Sequence, residues 1–231
     1  MIVKNNNFKP RSIRSFVLRE GRLTPGQARA YQNLWPVYGY DFIPGTIFDP
    51  ATLFTNQQPI YLEIGFGNGE TLIHLATSYP ERNFLGIEVH RPGIGHLLLN
   101  LHGKKLTNVR ILRYDAAEII HDLKLSCLTG IYILFPDPWP KIRHHKRRLI
   151  QPALVTALAQ TLQPNGFLHL ATDWEDYAQW MLSVLTACPY LINSDIAGGY
   201  TVRPEYRNLT RFELRGNELG HQVRDLLFYR L

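Results

Sequence analysis

The segment Tyr61-Leu-Glu-Ile-Gly-Phe-Gly-Asn-Gly-Glu70 constrains this chain more than any other. Ile60 to Ile64 reads as a buried strand, glycines follow at 65, 67 and 69, and the pattern over 68–79 is helical. Glycine adopts positive φ without a Cβ clash, so this spacing lets the chain turn sharply from the strand's end into the mouth of a helix. A strand-turn-helix unit of this kind belongs to a parallel sheet covered by helices, and the chain goes on to repeat it. Further strands are predicted over 83–89, 109–113, 130–135 and 167–171. Helices are predicted over 92–102, 149–162 and 174–187, with a short helical turn at 116–122. Thr24-Pro25 has the form of an N-cap followed by a first-turn proline, and Pro36, Pro44, Pro50 and Pro59 punctuate an irregular connection before the first strand. Gln163-Pro-Asn-Gly166 is a turn signal. Residues 210–215 and 223–229 read as two strands around a turn at 216–220. The prediction is a mostly parallel α/β sheet of seven strands, with helices on both faces and a C-terminal antiparallel hairpin.

Two ligand classes use such a glycine turn: dinucleotides and S-adenosylmethionine. The dinucleotide fingerprint would place its third glycine at position 70, which is Glu70. Glu63, two residues before Gly65, is awkward beside a pyrophosphate and suits a cationic amino group. Glu88, closing Gly86-Ile-Glu-Val, is placed to hold ribose hydroxyls under either reading. Asp115, after the third strand, can accept from an adenine amino group or cap the helical turn that follows. All three acids fall at the carboxyl edge of the sheet, where open parallel sheets bind ligands.

Charge adds a second ligand class. The formal excess of +6 sits in residues 1–35, which hold seven Lys/Arg against the single acid Glu20, so the remaining chain balances. That segment reads as a basic arm with a first helix, ahead of one domain over 36–231. A further cationic block, Lys141-Ile-Arg-His-His-Lys-Arg-Arg148, directly follows Phe135-Pro-Asp-Pro-Trp-Pro140. Clustered cations fit a polyanionic partner or a solvated face. The prolines stiffen the backbone on both sides of Asp137, and Trp139 offers a stacking plane. A rigid carboxylate, an aromatic plane and a phosphate-binding stretch suit a purine turned out of RNA. No stretch approaches the length of a membrane span, and residues 1–12 lack an apolar leader. The two cysteines, Cys127 and Cys188, have no metal-ligand spacing. No metal is expected, and a reducing cytoplasmic setting is.

With these motifs in view, the sequence closely resembles the bacterial tRNA (guanine-N7)-methyltransferase family, class I S-adenosylmethionine enzymes acting on guanosine 46 of the tRNA variable loop. The resemblance is carried by Glu63 to Gly69, Gly86 to His90, Phe135 to Lys141 with His144 to Arg148, Ala171-Thr-Asp-Trp-Glu175 and Thr210-Arg-Phe-Glu-Leu-Arg-Gly216. It extends to Gly220-His221 and to Arg14-Ser-Phe-Val in the arm. It implies that Glu63, Gly65, Gly67, Gly69, Glu88, Asp115 and Asp137 surround the cofactor, with Asp137 also catalytic. It further implies that Lys141, Asp173, Thr210, Arg211, Phe212 and Glu213 contact the target nucleoside. Arg143, His144, His145, Lys146, Arg147 and Arg148 would contact the RNA backbone. Read from the residues alone, Asp173 is equally an N-cap for the helix at Trp174, and Phe212 a core residue. A catalytically silent tRNA-binding protein and methylation of a different guanine are the competing readings.

Overall fold

The computed structural model describes residues 14–16, 21–209, 213, 220 and 222–231. Among them are eight strands, β1 (Gly39–Tyr40), β2 (Ile60–Ile64), β3 (Asn83–Ile87), β4 (Val109–Leu112), β5 (Leu128–Leu134), β6 (Leu162–Thr172), β7 (Leu191–Asn193) and β8 (Arg224–Arg230). The six α-helices are α1 (Pro25–Tyr38), α2 (Glu70–Ser78), α3 (Arg91–Gly103), α4 (Ala116–Ile119), α5 (Pro152–Thr161) and α6 (Glu175–Thr186).

One sheet runs in the order β1-β4-β3-β2-β5-β6-β8-β7. Strands β1 to β6 pair in parallel, and β8 pairs antiparallel with both β6 and β7. From β2 the chain moves outward through β3 and β4, then returns to the other side of β2 with β5. The order therefore reverses between β2 and β5, which opens a crevice beyond their carboxyl ends. Every residue of β2 and β3 is buried, because helices cover both faces. Leu62, Ile64, Ile131 and Ile133 pack toward α5 and α6, while Tyr61, Phe84, Ile111 and Tyr132 pack toward α1, α2 and α3.

The sheet has one strand more than the seven predicted, and its antiparallel pair is differently composed. The two-residue β1 lies in the stretch read as an irregular connection from Pro36 onward. Helix α1 in fact continues through Pro36 to the buried Tyr38. A proline this close to a helix end removes an intrahelical donor that few following turns depend on. Besides β6, the antiparallel partner of the last strand is Leu191–Asn193, too short to stand out as a pattern. The strand expected over 210–215 lies outside the described residues apart from Glu213, which is helical. The turn at Gln163 to Gly166 is present as an excursion within β6, where pairing jumps from Leu128↔Leu162 to Gly130↔Phe167 and Asn165 takes a φ of 63°.

The Thr24 cap is present as a reciprocal box, with Gln27 N donating to Thr24 Oγ1 and Thr24 N to Gln27 Oε1. Gln27 also donates to the Pro92 carbonyl at 3.1 Å, which docks α1 on α3. Helix α3 supports the glycine turn from the other side. A Cβ at Gly93 would lie 2.1 Å from the Gly67 carbonyl oxygen. Gly93→Ala is therefore expected to destabilise the fold by about 3 kcal/mol, read as a lower denaturant midpoint. An unchanged midpoint would mean that the turn moves freely over α3.

Candidate active site

Strand β2 delivers the chain into the glycine turn at the sheet's reversal point. Gly65, Gly67 and Gly69 all have positive φ, at 73°, 56° and 78°. Gly69 is also the N-cap of α2, and a Cβ there would meet Leu97 Cδ1 at 2.7 Å. A Cβ at Gly65 or Gly67 would meet nothing within 4 Å, so these two leave open space above the backbone where a ligand can approach. Glu88 fixes the turn from β3's end. Its carboxylate accepts from Gly67 N at 2.8 Å, from Val89 N at 2.6 Å and from His90 N at 2.9 Å.

A cleft of about 380 Å³ opens over this turn, lined by Gly65, Glu88, Asp115, Phe135 and Asp137 with Ser15 and Phe16 of the N-terminal segment. Glu63, on β2, does not line the cleft itself; it is only 3% exposed, and its Oε2 has no hydrogen-bond partner. Burial, aided by the nearby Glu88 carboxylate, pushes its pKa up to about 8. A buried carboxyl without a partner fits a ligand that brings a cation. Asp115 caps α4, with Oδ1 accepting from Ala117 N at 3.0 Å, and the residue also borders the cleft. Burial raises its pKa, while that bond and Arg14 act in the opposite direction.

Asp137 stands in the loop after β5, at the rim of the cleft; its side chain reaches solvent, and partial desolvation by the cleft moves its pKa upward. Both ends of this loop are strained, with φ of 52° at Phe135 and 45° at Trp139. Trp139 donates through Nε1 to the Ser15 carbonyl at 2.8 Å and carries the Arg147 guanidinium over its ring at 4.9 Å. The basic block forms a 3-10 helix, Ile142–Arg147. Lys141, Arg143 and Lys146 are exposed, and His144, His145 and Arg147 are half-buried. Arg148, expected on the RNA, is turned inward at 3% exposure.

Asp173 leaves β6 beside the Asp137 loop, since Leu134 pairs with Ala171 across β5 and β6. It does not cap α6; the N-cap position is Trp174. It lines a separate opening of about 650 Å³ with Trp174, Gln179, Gln222 and Arg224. Glu213 is buried and held by Arg207, with Nη1 donating to Oε2 at 2.5 Å and Nη2 to Oε1 at 3.1 Å. Thr210, Arg211 and Phe212 lie outside the described residues. Tyr206 packs against Tyr132, Phe167 and His169. Ser15 and Phe16 were not foreseen as cleft residues, although the Arg14-Ser-Phe-Val motif was the signal available.

A sheet that reverses between β2 and β5, with a glycine cradle and three acids at that crevice, defines a class I methyltransferase. The family model described as "Putative methyltransferase" matches residues 57–226. A tRNA (guanine-N7)-methyltransferase of Methylococcus capsulatus is 52% identical over 226 residues, covering 97% of each chain. One of Alkalilimnicola ehrlichii is 54% identical over 220 residues, covering 94% of this chain and 92% of its own. Among solved structures, a 30S ribosomal A1408 methyltransferase from an uncultured bacterium matches the fold with a TM-score of 0.54 at 12% identity, covering 84% of this chain and 98% of its own. The chain belongs to the tRNA (guanine-N7)-methyltransferase family.

Proposed function

We propose that this protein transfers a methyl group from S-adenosylmethionine to N7 of guanosine in tRNA, at position 46 of the variable loop. The observation that carries this reading is the meeting, at one crevice, of an acid-lined glycine cradle and the Asp137 loop with its cationic flank, in a chain whose relatives bear that activity in their names. S-adenosylmethionine supplies an electrophilic methyl group carried on a positive sulfonium. Glu63 receives the cofactor's amino group, Glu88 its ribose hydroxyls and Asp115 its adenine amino group. Gly65 and Gly67 let the backbone come close.

Guanine N7 has a lone pair and no proton, so no residue need act as a base toward it. The protein's work is placement and charge balance. Asp137 offers a carboxylate beside the base as positive charge moves onto the purine. Lys141, Asp173 and Glu213, with Thr210, Arg211 and Phe212, hold the nucleoside. Arg143, His144, His145, Lys146 and Arg147 track the RNA backbone, and the arm over 1–35 extends that grip from the domain over 36–231. The cytoplasm, where tRNA is used, is the setting this function requires.

Mapping methylated guanosines in tRNA treated with the protein tests the reading. A single 7-methylguanosine in the variable loop is expected. Methylation elsewhere would move the target, and no transfer at all would leave a silent RNA-binding protein. Replacing Arg143, Lys146 and Arg147 together by alanine should weaken every tRNA. The log-log salt slope should fall by roughly 0.7 to 0.9 per lost phosphate contact, about 2 to 3 in all. An unaltered slope would make this block a solvated face and shift the grip to the arm.

A further inference from the structure

Arg148 ends the basic block, yet it points away from solvent. Its Nε donates to the Pro138 carbonyl at 3.0 Å, its Nη2 pairs with Asp176, and its guanidinium lies over the Tyr177 ring at 4.8 Å. These partners belong to different elements. Pro138 follows Asp137 in the loop after β5, whereas Asp176 and Tyr177 lie in the first turn of α6, shortly after Asp173. The adjoining backbone is stapled to the same helix, for Ile150 N donates to Tyr177 Oη at 3.2 Å and Trp180 Nε1 to the Ile150 carbonyl at 2.7 Å.

The Asp137 loop needs such a hold. Phe135 and Trp139 are non-glycine residues in left-handed conformations, which crowd Cβ against the backbone. Strain of this kind persists only where surrounding contacts over-determine it. Phe135 N is held by the Ala171 carbonyl at 2.8 Å, and Trp139 by Ser15. The carbonyl between Asp137 and Trp139 in sequence is the one that Arg148 holds.

We infer that Arg148 is a positioning residue, whose forked guanidinium fixes the Asp137 loop to the start of α6 and so sets the place of Asp137 at the cleft. It is not a phosphate contact. The inference rests on the reading of Asp137 as catalytic.

A planar fork and a point charge separate the two roles. Lysine preserves a phosphate contact but cannot bond Pro138 and Asp176 together while lying over Tyr177. Arg148→Lys should therefore retain tRNA affinity and its salt slope while single-turnover methylation at saturating tRNA slows about 10-fold. Arg148→Ala should slow it about 10²-fold, the scale of a small misplacement of a reacting group. Melting temperature and calorimetric affinity for S-adenosylhomocysteine give the folded fraction used to normalise each rate. A wild-type rate in Arg148→Lys would overturn the inference, as would a salt slope lowered by one contact in Arg148→Ala. If Arg148→Ala does not fold, Arg148→Lys decides alone. Asp137→Asn run alongside separates the two readings. A slow Asp137→Asn with a wild-type Arg148→Lys defeats the role of Arg148 only, whereas a wild-type Asp137→Asn defeats the catalytic reading beneath it. If both substitutions are slow, the double variant Arg148→Lys/Asp137→Asn should be no slower than Asp137→Asn, because the arginine acts through the aspartate. A further multiplicative loss would mean that it acts by another route.

Discussion

Asp137→Asn is expected to slow single-turnover methylation by about 10²-fold or more, with tRNA affinity changed less than about threefold. Asparagine nearly preserves the shape of the side chain, so the strained Pro136-Asp137-Pro138 loop should keep its path. Only the charge is lost. In a crevice where part of the water is excluded, a carboxylate beside an electron-poor purine counts for more than in bulk solvent. On the proposed reading, the tRNA body is bound by cations spread over the exposed flank, which the substitution does not touch. Rapid-quench measurement at saturating tRNA and cofactor would read the chemical step directly. A variant with the wild-type rate would make the carboxylate structural and leave placement to other groups.

Cofactor affinity is expected to rise nearly tenfold from pH 6 to 7, less steeply towards pH 8, and to fall again at higher pH as the cofactor's amino group loses its own proton. Glu63 is the cause. With its pKa pushed up to about 8, it is mostly protonated below that pH, and only its ionised form pairs with a cationic amino group. Binding at pH 7 and below should therefore release close to one proton, seen as a difference in calorimetric enthalpy between buffers of different ionisation heat. Glu63→Gln should remove both the proton release and the rise in affinity. The same shift acts on the fold. The native state keeps this proton from the ordinary carboxyl value of 4.5 up to about 8, whereas the unfolded chain loses it, so Glu63 makes stability fall as pH rises through that window. Glu63→Gln should unfold at a higher temperature than the wild type at pH 8. Affinity that is flat from pH 6 to 8 would remove Glu63 from the cofactor's amino group.

Much of this protein could be read from its residues in order. Period and punctuation gave the alternating strands and helices, because buried parallel strands are written as short apolar runs between glycine, proline and asparagine signals. The glycine spacing and the acids at strand ends marked the crevice, since their chemistry depends on local backbone and on position along a strand. Elements with little local signal escaped. Strand β1 has two residues and β7 three, and each exists because a neighbouring edge, β4 or β8, offers unpaired backbone groups.

Side-chain direction was the other matter that the chain order left open. Arg143, Lys146 and Arg148 are alike as letters, but Arg148 is followed by Leu149 and the buried Ile150, whose packing on α6 carries the guanidinium inward to Pro138 and Asp176. Glu63 and Glu88 are similarly alike as acids at strand ends. Three backbone N–H groups hold Glu88, whereas Glu63 is buried with an unpartnered oxygen. Sequence determined which groups are present and along which edge they fall, because both follow from local propensity and the two-residue period of a strand. Tertiary structure decided which of those groups are solvated, paired or buried without a partner, because burial and hydrogen bonding depend on neighbours that are distant in the chain.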